Sequence, residues 1–279
     1  MIAAPDPAIV AADVRRALDE DLGFGDLTAS LIAPGTSLRT RVICRDEAVL
    51  AGQPWFNETF AQLDRALRID WFCQDGDPMV PNQPICQLEG DAAGLLSGER
   101  TALNFIQTLS GTATQAAAYV AEVAGTRARI LDTRKTLPGL RQAQKYAVRC
   151  GGGSNHRLGL FDAILIKENH ISAAGSITAA VHTARQTHPQ VLVEVEVEDL
   201  RQLREAMAAG AQRVLLDNFS LPLLREAVAL ADGIIELEAS GNVTLSTVRA
   251  IAETGVDFVS AGAITKHVRA VDFSMRFVE

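Results

Sequence analysis

The residues from Asp132 to His170, DTRKTLPGLRQAQKYAVRCGGGSNHRLGLFDAILIKENH, hold seven Lys or Arg and two His against three acids, in a chain of formal net charge −8. A local reversal of sign on an acidic protein fits a small polyanionic ligand, held against the repulsion of the remaining surface. Nucleic acid is a poor candidate, because it needs a basic domain or an extended basic face and the chain has neither. Arg141, Lys145 and Arg149 recur at i, i+4 and i+8, the spacing of a solvated helix face, and that is how they are read. Arg134, Lys135, His156, Arg157 and Lys167 fit no such face. They stand beside glycines or at the end of an apolar run.

Each of these residues brings a distinct chemistry. Arg134 offers a planar fork that matches a carboxylate or phosphate, and Lys135 adds a compact charge. Pro138 and Gly139 close their loop ahead of a helix. Gly151, Gly152 and Gly153 permit close backbone approach and deliver His156 and Arg157. Lys167 follows the apolar stem ILI, so its ammonium is expected to be rigid and partly desolvated. That leaves two chemistries open: a fixed cation for an anion, or an amine that forms a Schiff base.

The acids form a second set. In VLVEVEVED, Glu194, Glu196 and Glu198 alternate with valines and so share one face of a strand. Inward-facing acids are costly unless they meet cations, sugar hydroxyls or a metal. With Asp217 they could bind ribose hydroxyls and a Mg²⁺ that bridges phosphates, while an internal ion-pair network with Lys167 and the arginines can coexist with that role. Ser240, Gly241 and Asn242, and later Ser260 to Ala263, offer small residues and backbone N–H groups to a phosphate, with Lys266 placed to add charge.

The elements that must carry these residues fall into two regimes. From about Asp26 to Gly90, β-rich runs (LRTRVICR, LRIDWFCQ, PICQLEG) surround one helical segment near Phe56 to Leu67, which implies an antiparallel sheet with a helix on it. Leu95 to Val123 reads as two helices broken at Ser110 and Gly111. After them come ARILD, FDAILIK, VLVEVEV, RVLLD, GIIELEA and VDFVSAG, mostly separated by helical stretches, the rhythm of a parallel α/β sheet. No G-x-G-x-x-G follows the first of these strands, which favours a barrel over a dinucleotide-binding fold. Asp132, Lys167, Asp217 and Ser260 end their strands, with Glu196 and Glu238 close to the ends of theirs. A (β/α) barrel builds its site at those ends. Cys44, Cys73, Cys86 and Cys150 show no metal-ligand spacing, no apolar run is long enough to cross a bilayer, and the N-terminus reads as an amphipathic helix. The expectation is a soluble cytoplasmic protein.

Taken together, SGERTALNFIQTLSGTAT, the Asp132 block extended to LDTRKT…ENHI, VEVEVED, VLLDNFS, EASGNVT and VDFVSAGAITKHVRAVDFSMRF resemble the quinolinate phosphoribosyltransferases, over most of the chain and in unbroken order. The resemblance implies an N-terminal α/β sandwich over residues 1–112, joined by a returning strand at 270–279, and an open, incomplete (β/α) barrel over 113–269. It implies transfer of ribose 5-phosphate from phosphoribosyl pyrophosphate to quinolinate with loss of pyrophosphate and carbon dioxide, giving nicotinate mononucleotide for NAD biosynthesis. By motif, Thr133, Arg134, Lys135, His156, Arg157 and Lys167 would surround quinolinate and pyrophosphate, with Lys135, Lys167, Glu196 and Asp217 as the catalytic set. Glu196 and Asp217 would hold ribose hydroxyls and Mg²⁺, partly through water. Ser240, Gly241, Asn242, Gly262 and Lys266 would cradle the 5-phosphate. Asn242 replaces a glycine common among relatives, and Asn tolerates the left-handed region such a loop needs. Arg100 would reach the partner's site, making a homodimer or a higher oligomer the working unit. Its apparent place in the first turn of a helix, against the macrodipole, also sets it apart from a stability choice. A homologue linked to molybdate uptake and a Schiff-base lyase using Lys167 are the rival readings. The full TRKT and GGGSNHR strings argue against the first.

Overall fold

A computed structural model describes residues 2–278; Met1 and Glu279, at the two ends of the expected first domain, lie outside the described residues. In chain order the first half reads α1 (Pro7–Leu22), β1 (Ser37–Cys44), β2 (Ala48–Val49), α2 (Gln53–Leu63), β3 (Arg68–Trp71), β4 (Pro78–Met79), β5 (Gln83–Asp91) and α3 (Ala92–Glu122). There follow β6 (Arg129–Leu131), α4 (Arg141–Cys150), β7 (Ile164–Ile166), α5 (Glu168–Ala174), α6 (Ile177–Thr187), β8 (Val193–Val197), α7 (Leu200–Ala209) and β9 (Arg213–Asp217). The last elements are α8 (Leu221–Ala231), β10 (Glu236–Ser240), α9 (Leu245–Ala252), β11 (Phe258–Ser260), α10 (Ala263–Lys266) and β12 (Phe273–Phe277). Packing groups the described residues into two compact units, one of those up to 117, 136–152 and from 267 on, the other of residues 118–135 and 153–266. No single cut in the sequence separates them, and position 112/113 falls inside α3.

The first unit is built on an antiparallel sheet in the order β12-β1-β5-β3. Its inward residues, among them Val42, Cys86, Leu88 and Phe273, pack with Phe56 and Phe60 of α2 and with Leu95, Leu103 and Ile106 of α3. The helix on this sheet runs from Gln53 to Leu63 rather than from Phe56 to Leu67. The Asp75 carboxylate caps its start by accepting the Gly52 and Gln53 N–H groups, and Asp64 ends it in extended backbone. A second cluster joins Val10, Val14 and Leu18 of α1 to Trp55, Leu109, Ala143, Tyr146 and Ala147.

Two expectations fail here for one reason, close helix packing. Helix α3 is continuous through Ser110 and Gly111. The Ser110 hydroxyl accepts from the Ala51 N–H and donates to the Ala51 carbonyl, and a Cβ on Gly111 would lie 2.1 Å from the Arg269 carbonyl oxygen. The glycine is there for a neighbouring backbone, not to stop the helix. Arg100 consequently lies well inside α3 and is exposed, so the macrodipole argument for it lapses. Helix α4, likewise, does not present its cations as a solvated stripe: Lys145 is 1 % exposed and Arg149 is half-buried with its guanidinium over the Tyr146 ring. At the C-terminal end of α4, a Cβ on Gly151 would meet the Ala113 carbonyl oxygen at 2.2 Å, so that glycine does serve close approach.

The second unit is a six-stranded parallel sheet in the order β6-β11-β10-β9-β8-β7. Its strands alternate with helices, several opened by a side-chain cap: Ser176, Asp199 and Ser220 accept from Ala179, Gln202 and Leu223 N–H. Val193, Val195, Val197, Val214, Leu216, Leu237 and Val259 are buried. Among the described residues β6 and β7 have no ladder between them, so the sheet stays open there. Ser154 makes a single parallel bridge to Leu131 on that side of β6. The fold is thus an α/β protein with an N-terminal antiparallel sheet and an open parallel sheet of barrel type. No helix among the described residues is long and apolar enough to cross a membrane.

Candidate active site

The parallel sheet ends its strands at one cavity of about 500 Å³ in the second unit. Thr133, Arg134, Lys135, His156, Arg157, Lys167, Glu196, Asp217 and Ser240 line it, together with Glu238, Ser260, Leu165 and Leu215. Residues more than 100 positions apart therefore converge because each closes a strand or begins the loop after one. Asp217 is the last residue of β9 and pairs in register with Ser240 of β10, which places this acid and the first small residue of the late loop side by side.

The cations crowd one another. Arg157 is held below its ordinary pKa first by burial and then by the charge of Arg134, an arrangement that favours an anion between the two guanidiniums. Lys167 makes a direct ion pair with Glu196, with the lysine side chain 45 % exposed and the glutamate 23 %. The ammonium expected to be partly desolvated is thus part-buried, lining the cavity beside a carboxylate. Thr133 turns the first loop, its hydroxyl accepting from Lys135 N–H at 3.1 Å.

Below these residues lies a buried cluster. His156 Nε2 is 3.0 Å from Glu194 Oε2 and 3.4 Å from Glu238 Oε2, with the histidine side chain 9 % exposed and the two glutamates essentially inaccessible. Burial, and then the charge of Glu194, push the Glu238 carboxyl well above the usual carboxylate range. The three acids expected along β8 thus separate: Glu194 is buried, Glu196 reaches the cavity, and Glu198 lies past the strand end, exposed, where its backbone N–H donates to Gln202.

The late loops follow the small-residue pattern. Gly241 has φ 103°, and a Cβ there would meet Asn218 Oδ1 at 2.2 Å; Asn242 takes φ 49°, the left-handed region foreseen for it, and its Nδ2 donates to Asn218 Oδ1. A Cβ on Gly262 would meet Lys135 Cδ at 2.9 Å, so the glycine lets the lysine stem lie against the loop. Thr265 ties the same loops together by donating to the Lys135 carbonyl at 2.8 Å. Gly241, Asn242, Gly262 and Lys266 are not among the residues lining the cavity, and Lys266 is exposed. Arg100 belongs to the first unit. Two asparagines were missed by the sequence reading: Asn155, which donates to Asp132 at 2.6 Å, and Asn218, which donates to Asp217 at 2.9 Å and organises the Gly241 loop. Both adjoin residues already singled out, in SNHR and LLDN, and that adjacency was the available signal.

Comparison with known proteins agrees with this geometry. Residues 26–110 match the model of the quinolinate phosphoribosyl transferase N-terminal domain, and residues 112–276 that of the C-terminal domain. A probable nicotinate-nucleotide pyrophosphorylase (carboxylating) of Bacillus subtilis is 44 % identical over 92 % of this chain and 89 % of its own length. The nicotinate-nucleotide pyrophosphorylase (carboxylating) of Mycobacterium leprae is 42 % identical over 94 % of this chain and 95 % of its own. The solved structure of the nicotinate-nucleotide pyrophosphorylase from Francisella tularensis superposes with a TM-score of 0.95 at 47 % identity, covering 100 % of this chain and 99 % of that one.

Proposed function

The chain belongs to the quinolinate phosphoribosyltransferase family, and from that premise we infer how its residues divide the work. Its activity is the decarboxylating transfer of a phosphoribosyl group to quinolinate, which makes nicotinate mononucleotide for NAD synthesis. The single observation that supports the assignment of roles is the convergence of the Arg134, Arg157 and Lys167 cations with the Glu196 and Asp217 acids on one cavity.

Quinolinate is a dianion, and Arg134, Lys135, Arg157 and Lys167, with His156 in the wall, match its two carboxylates and the pyrophosphate of the second substrate. The pyridine nitrogen forms a bond to the anomeric carbon of ribose as the bond to pyrophosphate breaks. Positive charge builds on the ribose, where Glu196 and Asp217 can stabilise it, while Lys135 and Lys167 stabilise the leaving group. The N-alkylated ring then accepts the electron pair released as the adjacent carboxylate leaves as carbon dioxide, and the ring carbon takes up a proton. The Gly241–Asn242 and Gly262 loops, with Ser240 and Lys266, are assigned to the 5-phosphate.

Glu196 and Asp217 fit Mg²⁺ that arrives with the phosphoribosyl pyrophosphate. They are hard oxygen donors lining one cavity, which suits a metal bound partly through water and substrate. When bound, Mg²⁺ supplies neutralisation of the pyrophosphate charge. We assign the first domain to residues 1–112 with 270–279, the catalytic domain to 113–269, and the working form to a homodimer in which Arg100 serves the partner's site. The test is direct: protein, quinolinate, phosphoribosyl pyrophosphate and Mg²⁺ yield nicotinate mononucleotide, and chelation of the metal abolishes the yield. Undiminished product under chelation would remove Mg²⁺ from the assignment.

A further inference from the structure

We propose that Glu194 and Glu238, on strands that flank β9, are positioning residues: they clamp the His156 ring so that its loop presents Arg157 to the acid substrate. The geometry fixes how the clamp works. His156 Nδ1 accepts the Arg157 backbone N–H at 2.7 Å, so the ring's proton is left on Nε2. That nitrogen is the one facing Glu194 at 3.0 Å and Glu238 at 3.4 Å. Nδ1 is thus hydrogen-bonded within the loop, while Nε2 sits at ion-pair distance from two carboxylates whose oxygens find no hydrogen-bond partner among the described residues, so the imidazole is the group that both buried acids face.

The rest of the loop is held as firmly and from other strands. Asp132, at the end of β6, accepts the His156 N–H at 2.9 Å and the Asn155 side chain at 2.6 Å. Ser154 N–H donates to Ile130 at 2.8 Å, and Asp162 accepts the Leu158 and Gly159 N–H groups at 2.7 and 2.9 Å. Arg157 itself spends one guanidinium nitrogen on the Ala163 carbonyl at 3.3 Å and lines the cavity. A loop has little shape of its own, and this one takes its shape from acids on β6, β8 and β10. Two carboxylates buried in a sheet interior would be replaced by apolar side chains if packing were their only purpose. Here one oxygen of each lies within 3.4 Å of a single histidine nitrogen, and a supporting shell of this kind holds a binding group to within a fraction of an ångström.

The inference rests on the reading that Arg157 meets quinolinate, and the experiment separates the two. Michaelis constants for each substrate and melting temperatures are measured for the wild type, Arg157→Ala, Glu194→Gln, Glu238→Gln and Glu238→Ala. Arg157→Ala should raise the quinolinate KM on the order of 100-fold, and each Gln variant about tenfold, with Ala worse than Gln. The KM for phosphoribosyl pyrophosphate should stay within about twofold in the glutamate variants, which general loosening would not allow. If Arg157→Ala raises the quinolinate KM and the glutamate variants leave it unchanged, the positioning role is wrong and the cavity reading stands. A silent Arg157→Ala sinks both. Parallel rises for both substrates that track a fall in melting temperature would reduce the glutamates to structural support. A stoichiometric divalent ion found by elemental analysis in the wild type and missing from Glu238→Ala would make the cluster a metal site instead and overturn the proposal.

Discussion

Glu194 and Glu196 are two residues apart on β8 and point to the same side of the sheet, yet one is 1 % exposed and the other 23 %. The same step recurs on β10, where of two residues lining the cavity Glu238 is inaccessible and Ser240 is half-buried. Depth decides what an acid can do. At the deep level the partner is the protein's own histidine, 9 % exposed in the cavity wall, so the interaction serves mainly to build the shape of that wall. At the outer level Glu196 pairs with a half-exposed Lys167, an interaction that water and salt weaken and that a ligand can replace at little cost. One strand thus carries both a buried acid and a cavity acid, simply by repeating a glutamate every second residue.

The largest effect should come from the outer level. Glu196→Gln and Asp217→Asn are expected to lower kcat/KM for phosphoribosyl pyrophosphate about 100- to 1000-fold while calorimetry finds quinolinate bound normally. Loss of quinolinate binding with normal use of the other substrate would exchange the roles of acids and cations. The next effect tests the cations of that level. Nicotinate, which lacks one carboxylate, leaves a cation unpaired at a cost of about 2 to 3 kcal/mol, so its turnover should be roughly 30- to 150-fold slower than that of quinolinate. Equal turnover would mean the cations do not read the second carboxylate. The smallest effect extends the comparison beyond one chain. Arg100→Ala and Lys167→Ala, each nearly inactive, are mixed with subunit exchange confirmed; about half the dimers are then hybrids with one intact site, so activity should return to about a quarter of wild type. No recovery would confine Arg100 to its own subunit.

Much of the second unit was legible in the sequence, because parallel strands announce themselves as short apolar runs and their site residues stand where those runs stop. RVLLD and VDFVS became β9 and β11 with Asp217 and Ser260 at their ends. Depth was not legible. Alternation says that Glu194 and Glu196 share a face, but how far inside each lies depends on which neighbouring strand covers it. The same limit produced the error at α4, where a spacing of four residues shows a helix face and cannot show what packs on it. Gly111 was misread because a glycine that ends a helix and a glycine that admits a passing backbone look alike until Arg269 is brought against it.

Strand β12 closes the first sheet by pairing with β1, so that Thr40 lies opposite Phe277 and Arg45 touches Ser274 across 229 positions of chain. A ribosome makes β1 early and β12 last, with every strand of the parallel sheet emerging in between. During synthesis β1 therefore waits with one edge unpaired, and the later-made unit can acquire its core before the earlier-made one is finished. Strand β12 acts as the latch of the first sheet. A chain interrupted anywhere before it carries an incomplete sheet and an open strand edge, the feature by which quality control or aggregation recognises unfinished proteins.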